Sequence, residues 1–119
     1  MHTIVHMEIP ADDVKRAKDF YSRLFGWEIK EAGPGMEYWL FSMGDKQPGG
    51  GMMKRMAPGQ GITNYIGVSS VDEYADKVKK LGGKIIVPRT AVAGMGYFAV
   101  CMDTEGNTFA LWMMDENAK

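Results

Sequence analysis

An internal repeat constrains the fold of this chain more than any local pattern does. Residues 3–30 and residues 63–88 follow the same order: an alternating strand-like stretch, an amphipathic stretch, then glycine and a second alternating stretch. An internal repeat is stronger evidence for architecture than the secondary structure predicted for any one segment. We therefore expect two similar units that each begin with a strand, a helix and a strand. The predicted helices cover residues 12–25 and 71–81.

Further strands follow each copy of the repeat. After the first copy we predict strands at 37–43 and 50–56, joined by a turn over 44–49. After the second copy we predict strands at 96–102 and 108–113. Each unit is therefore predicted to have the order βαβββ.

Residues 57–61, Ala-Pro-Gly-Gln-Gly, are the one plausible linker. They divide the chain into a first module at about 1–56 and a second module at about 62–119. At 119 residues the chain is too short for two independent folds, so we expect both modules to share a single domain, 1–119.

Alternation within the strands predicts which faces are covered. In the first strand Val5, Met7 and Ile9 lie on one face, while His6 and Glu8 lie on the other. The helix that follows carries an apolar stripe that a sheet should cover. That stripe comprises Val14, Ala17, Phe20, Tyr21, Leu24 and Phe25. We therefore expect an α+β fold with helices on the outer faces of curved mixed sheets, whose other faces enclose a shared cleft. A ferredoxin-like α+β sandwich is the structural alternative.

Composition excludes several classes of partner. Lys and Arg total 14 and Asp and Glu total 15, which gives a net charge of -1. The chain therefore lacks the excess of basic residues that binds nucleic acid or an anionic membrane. No apolar stretch approaches the roughly 20 residues that span a bilayer, and no leader pattern opens the chain, so we predict a cytoplasmic protein. The single cysteine, Cys101, lies in an apolar strand and is predicted to be a buried small side chain. We expect a small-molecule ligand.

Several short motifs, in this order and spacing, together resemble one family. They are His6, Phe20-Tyr21, residues 24–27 (Leu-Phe-Gly-Trp), residues 81–83 (Leu-Gly-Gly) and residues 103–111 (Asp-Thr-Glu-Gly-Asn-Thr-Phe-Ala-Leu). The chain is similar to the vicinal oxygen chelate superfamily, which includes glyoxalases, bleomycin-resistance proteins and extradiol dioxygenases. The resemblance implies paired βαβββ modules, a small-molecule ligand and a homodimer.

The resemblance also implies where a metal would bind. Metal-dependent members hold a divalent ion with His or Gln on the first strand and Glu on the last strand of each unit. His6 is the only residue here that matches such a position; the other three positions hold Thr63, Ala110 and either Met52 or Met53. Because a hydroxyl, a methyl group and a thioether are poor ligands for Mg, Mn or Ni, we predict that no cofactor is bound. A divalent metal completed by Glu8 or other residues is the alternative.

Two sets of side chains are candidates for function. His6 and Glu8 share a strand face, and an imidazole that titrates near neutrality can exchange protons beside a carboxylate, so both are candidate catalytic residues. The candidate ligand-binding residues are of two kinds. Some are aromatic side chains that carry a polar atom, and the others stand at the positions where metal-dependent relatives have their metal ligands. They are Tyr38, Tyr65, Trp112, Thr63, Ala110 and Met52.

Three functions remain open at this point. The first is a metal-free binding protein for a small, partly apolar metabolite or drug, similar in design to the bleomycin-resistance members. The second is a glyoxalase-like lyase or isomerase that uses His6 and Glu8, with or without a metal. The third is a non-catalytic interaction subunit, which would show no response to small molecules.

Overall fold

The computed structural model describes residues 2–44 and 49–119. The helices and strands of the described residues are, in chain order, β1 (Ile4–Ala11), α1 (Val14–Phe25), β2 (Glu28–Glu31), β3 (Tyr38–Ser42), β4 (Gly49–Lys54), β5 (Thr63–Gly67), α2 (Val71–Lys80), β6 (Lys84–Val92), β7 (Gly96–Met102) and β8 (Thr108–Met114). This order confirms the α+β class and the repeated βαβββ pattern. The turn predicted over 44–49 lies mostly outside the described residues.

Two compact units divide the chain. The first unit comprises His6–Thr63, and the second comprises Asn64–Lys119 together with the residues that precede His6. That the two units make one domain stays a prediction. Within the described residues, neither helix is long and apolar enough to cross a membrane.

The sheet of the first unit has the strand order β2-β3-β4-β1. β1 runs parallel to β4, whereas β3 is antiparallel to both β2 and β4. Its aromatic core is a stack in which the Tyr21 ring of α1 lies 5.4 Å from Trp27, and Trp27 lies 5.0 Å from Phe41 of β3. Phe41 and Met52 are buried, so the face of the sheet that carries them is the face that α1 covers.

The apolar stripe of α1 is only partly covered. Val14, Ala17 and Tyr21 are half-buried, but Phe20, Leu24 and Phe25 remain 59%, 57% and 59% exposed. The expectation that the sheet covers the whole stripe is therefore wrong. At 3.6 residues per turn the stripe spreads over about 140° of the helix circumference, and the sheet on one side of the helix contacts only part of that sector.

The second unit pairs its strands in the order β5-β8-β7-β6. β5 is parallel to β8, and β7 is antiparallel to both of its neighbours. Val71 of α2 packs with Ala99, Cys101 and Leu111 in a buried cluster. Cys101 is fully buried as predicted, and burial raises the pKa of its thiol.

β6 is longer than predicted. The sequence predicts a strand over residues 84–88, and the proline at residue 88 has no N–H to donate to a ladder. In the structure β6 continues to Val92, and its pairing with β7 shifts register between Val87 and Thr90, on either side of Pro88. β6 is the edge strand of this unit's sheet, and the shift in register allows the strand to continue although Pro88 has no N–H to donate.

Candidate functional site

Three polar side chains meet on the face of the first unit's sheet that α1 does not cover. β4 lies between β1 and β3 and sets their relative register: Gly51 pairs with Glu8 on one side and with Leu40 on the other. Because residues two apart on a strand share a face, His6 and Tyr38 lie on the same side of the sheet as Glu8. The pairing thus brings Tyr38 together with His6 and Glu8, which lie 32 and 30 positions away in the chain.

Tyr38 joins the two predicted catalytic residues. Its hydroxyl donates a hydrogen bond to Glu8 Oε2 at 2.8 Å, and the same oxygen lies 2.8 Å from His6 Nε2. A tyrosine hydroxyl has a single proton, and here that proton is directed to the carboxylate. His6 Nε2 must therefore carry a proton of its own and donate it to the Tyr38 oxygen.

Gly51 provides the space in which the Tyr38 side chain lies. A Cβ atom at residue 51 would overlap the hydroxyl and the ring of Tyr38. Gly51 is buried, and it pairs directly with Glu8. The absence of a side chain at this position is what allows the tyrosine to reach across β4 to β1.

The electrostatics of the site favour a neutral imidazole. Burial lowers the pKa of His6 below its ordinary value of 6.5, and the nearby Glu8 carboxylate opposes that shift to a smaller extent. A neutral His6 with its proton on Nε2 agrees with the hydrogen bond to Tyr38. The geometry gives a half-buried chain of hydrogen bonds from imidazole to phenol to carboxylate.

Of the predicted ligand-binding residues in the first unit, Tyr38 lies beside His6 and Glu8 and Met52 does not. Met52 pairs with Ile9 and Trp39 and is 0% exposed, so it has no surface that could contact a ligand. Met53, one residue later, is the methionine on the Tyr38 face and is half-buried. The run of three glycines and two methionines in β4 gave no alternation from which to choose between them.

Three predicted ligand-binding residues of the second unit, Tyr65, Ala110 and Trp112, lie together on one face of that unit's sheet. Tyr65 pairs with Ala110, and its ring lies 6.4 Å from Phe98, which pairs with Trp112. They occupy the face opposite the cluster around Leu111. Ala110 is 0% exposed and Tyr65 is 8% exposed, so Ala110 has no surface for ligand contact, whereas Trp112 is half-buried. Thr63, the last residue of the first unit and the first residue of β5, is also buried.

Comparison with known proteins agrees with this fold and with this arrangement of strands. The family model of the Glyoxalase/Bleomycin resistance protein/Dioxygenase superfamily matches residues 3–111. The chain belongs to this superfamily. The resemblance stated from the short motifs is therefore confirmed.

Three similar proteins illustrate the relationship. The chain is 34% identical over 116 residues to a glyoxylase-like domain-containing protein of Didymella fabae, with 88% of each chain covered. It is 29% identical over 123 residues to the anthracycline biosynthesis protein DauV of Streptomyces sp. (strain C5), covering 88% of this chain but 44% of that protein. A solved superfamily member from Vibrio splendidus 12B01 has the same fold, with a TM-score of 0.72, 13% identity, and 95% and 99% of the two chains covered.

The divalent metal that the superfamily usually binds finds a poor donor set in this site. Among residues 2–44 and 49–119, no group of three or more His, Cys, Asp or Glu side chains could hold a metal ion. The proton on His6 Nε2 is directed to Tyr38, and the β4 residue opposite Glu8 is Gly51, which has no side-chain donor atom. The side chains present therefore do not fit that ion in the arrangement described.

Proposed function

We propose that this protein binds a small, partly apolar molecule on the sheet face that carries His6, Tyr38 and Glu8. The observation that carries the proposal is the Tyr38 hydroxyl, held at 2.8 Å by both His6 and Glu8. Polar groups oriented in this way beside apolar side chains are typical of small-molecule sites, and Leu40 and Met53 provide the apolar surface here. Tyr65 and Trp112 stay proposed ligand contacts of the second unit.

We also propose that binding requires no divalent metal, and that the protein works as a cytoplasmic homodimer. The mismatch between the donor set and a divalent ion supports the first part. The expected result is less than stoichiometric Ni, Zn, Mn or Fe by elemental analysis of protein purified without chelators. Stoichiometric metal that is lost in a His6→Ala variant would contradict it.

A second candidate function is acid–base catalysis of a lyase or isomerase type. The observation that favours it is the continuous path of hydrogen bonds, along which a proton can pass between the Glu8 carboxylate and the His6 imidazole through Tyr38. A substrate proton taken up at one end could thus be returned from the other. This candidate uses the same three residues as the binding proposal, so one set of variants tests both.

A polycyclic aromatic probe with hydroxyl and carbonyl groups tests the binding proposal, and a relative named for anthracycline biosynthesis makes an anthracycline a suitable choice. We expect saturable binding by fluorescence titration. The Tyr38→Phe variant removes the oxygen that joins His6 and Glu8 and should weaken binding about tenfold, which corresponds to about 1.4 kcal/mol.

The matched control is Tyr74→Phe, since Tyr74 belongs to α2 in the second unit. Its affinity should equal that of the original protein. Equal affinities for Tyr38→Phe and Tyr74→Phe would rule out the proposed anchor. A lack of any thermal shift across a wider metabolite screen would favour the interaction subunit instead.

A further inference from the structure

The protons carried by the polar side chains of the site are already used within it. The single hydroxyl proton of Tyr38 is donated to Glu8, and the Nε2 proton of the neutral His6 imidazole is donated to Tyr38. A carboxylate and the unprotonated nitrogen of an imidazole only accept hydrogen bonds. Any further hydrogen bond to these three side chains must therefore be donated by the group that approaches them.

The charged side chains on the same face also favour such a donor. β2 extends the face beyond β3, because Lys30 pairs with Leu40 and Glu28 pairs with Ser42. Among the described residues of β1 to β4, this face carries two carboxylates, on Glu8 and Glu28, and one ammonium group, on Lys30. That ammonium group lies 2.8 Å from the Glu28 carboxylate, on a strand that β3 and β4 separate from β1. An anionic group that approaches Glu8 meets a like charge, whereas a cationic group meets an opposite one.

We infer that the molecule bound at this site carries a hydrogen-bond donor, a protonated amine or a hydroxyl group, that donates to the Glu8 carboxylate. This class of ligand depends on the binding function proposed above, because the same three side chains define both. An ionised carboxylate or an ether only accepts hydrogen bonds, so it brings no proton to Glu8 or to the unprotonated nitrogen of His6. The site should therefore select against molecules whose polar end is an acceptor.

The apolar part of the ligand is set by the row of residues that crosses the sheet at Glu8. Glu8, Gly51 and Leu40 lie side by side on β1, β4 and β3, so two strand spacings, roughly 10 Å, separate the first from the last. The Tyr38 side chain occupies the space above Gly51, and Leu40 is 47% exposed. A body of one or two fused rings, with its donor at one end, can reach from Glu8 over the Tyr38 ring to Leu40.

Four naphthalene probes of similar size test the ligand class by isothermal titration calorimetry at about pH 7.5, where an alkylamine is protonated. They carry an aminomethyl, a hydroxyl, a methoxy or a carboxylate group at the same ring position. Because charge-assisted hydrogen bonds are the stronger ones, the amine should bind about tenfold more tightly than the carboxylate. The hydroxyl probe should bind about threefold more tightly than the methoxy probe, which has the same oxygen without its proton.

The Glu8→Gln variant tests whether Glu8 causes the preference. Glutamine has nearly the same shape, but it lacks the charge and adds an N–H donor, so the amine should bind no more than about twofold better than the carboxylate. The matched control is Glu28→Gln, which removes the other carboxylate of this face and should keep the full preference. Thermal denaturation verifies that both variants are folded. If Glu8→Gln does not fold, the four probes on the original protein decide the outcome.

Two results would overturn the donor requirement and leave the binding function in place. One is a set of probes that bind, and that Tyr38→Phe weakens, with the acceptor probes as tight as the amine and the hydroxyl. The other is a preference for the amine that a folded Glu8→Gln variant keeps. If neither the four probes nor an anthracycline bound at all, the binding function would be contradicted and the donor requirement with it.

Discussion

The position of the Tyr38 side chain requires a glycine at residue 51. The hydroxyl that joins His6 and Glu8 lies where any side chain at residue 51 would have to be placed. The strands on both sides hold Gly51 within the sheet, where it pairs with Glu8 and Leu40. A methyl group there can be accommodated only if the tyrosine moves.

A Gly51→Ala variant should therefore displace Tyr38 from His6 and Glu8. Because overpacking of a buried site costs about 1–3 kcal/mol, we expect the free energy of unfolding to fall by that amount, together with a loss of probe binding. Chemical denaturation and the fluorescence titration measure the two effects. The control is Gly61→Ala, where an added Cβ contacts nothing within 4 Å. Equal behaviour of the two variants would show that Tyr38 does not need the space above residue 51.

His6 should make stability depend on pH. Its pKa is lowered by burial in the folded protein, so the unfolded chain takes up the proton first as pH falls. The preference for neutral His6 thus adds stability above its ordinary pKa of 6.5, and that stability is lost as pH drops through 6.5 towards the lower pKa of the folded state. We expect the free energy of unfolding to decrease between about pH 7.5 and about pH 5.5.

The His6→Gln variant isolates this contribution, since it keeps a polar side chain that does not titrate. Its decrease in unfolding free energy over the same interval should be smaller than that of the original protein. The other histidine, His2, is exposed, and His2→Gln provides the control that keeps the full decrease. If His6→Gln and His2→Gln responded alike to pH, burial of His6 would have no effect on stability.

At the scale of elements, both helices begin at residues that the sequence marks clearly. Asp13 accepts a hydrogen bond from the Arg16 N–H at 3.0 Å, and Ser70 accepts one from the Glu73 N–H at 3.2 Å. α1 ends where Gly26 adopts a φ of 73°, which favours glycine. Local chemistry of this kind can be recognised in a sequence, and the predicted helix ends agree with the structure to within two residues.

The N-cap of α2 provides a test at this scale. Replacing Ser70 with Ala removes the acceptor for the Glu73 N–H and should lower the free energy of unfolding by about 1 kcal/mol. Ser69→Ala is the matched control, because Ser69 is exposed and precedes the cap. A loss of equal size in both variants would mean that the cap contributes nothing specific.

The burial of α1 and the length of β6 could not be predicted correctly from the sequence. The apolar stripe of α1 predicted burial, yet Phe20, Leu24 and Phe25 are exposed. β6 was predicted to stop at Pro88, yet it continues past a shift in register to Val92. In both cases the deciding contact is with a neighbouring strand or sheet, which local periodicity does not encode.

For the whole molecule, the repeat predicted the architecture correctly. Each unit places a parallel pair of strands beside antiparallel pairs, and each packs one helix on one sheet face. Membership of the Glyoxalase/Bleomycin resistance protein/Dioxygenase superfamily agrees with that architecture. The chain spans less than half the length of the relative named for anthracycline biosynthesis, so the activity of that longer protein enters here only as the reason for choosing a probe.

The sequence by itself determined the two-unit order and the strand face that carries His6 and Glu8. Both follow from repetition and from period-two alternation, which need no knowledge of neighbouring strands. Only the tertiary structure decided that Tyr38 joins these residues, that Gly51 makes room for it and that Met53 rather than Met52 shares their face. Those outcomes depend on the register of β4 between β1 and β3, because that register brings Tyr38 of β3 to His6 and Glu8 of β1, which lie 32 and 30 positions away in the chain.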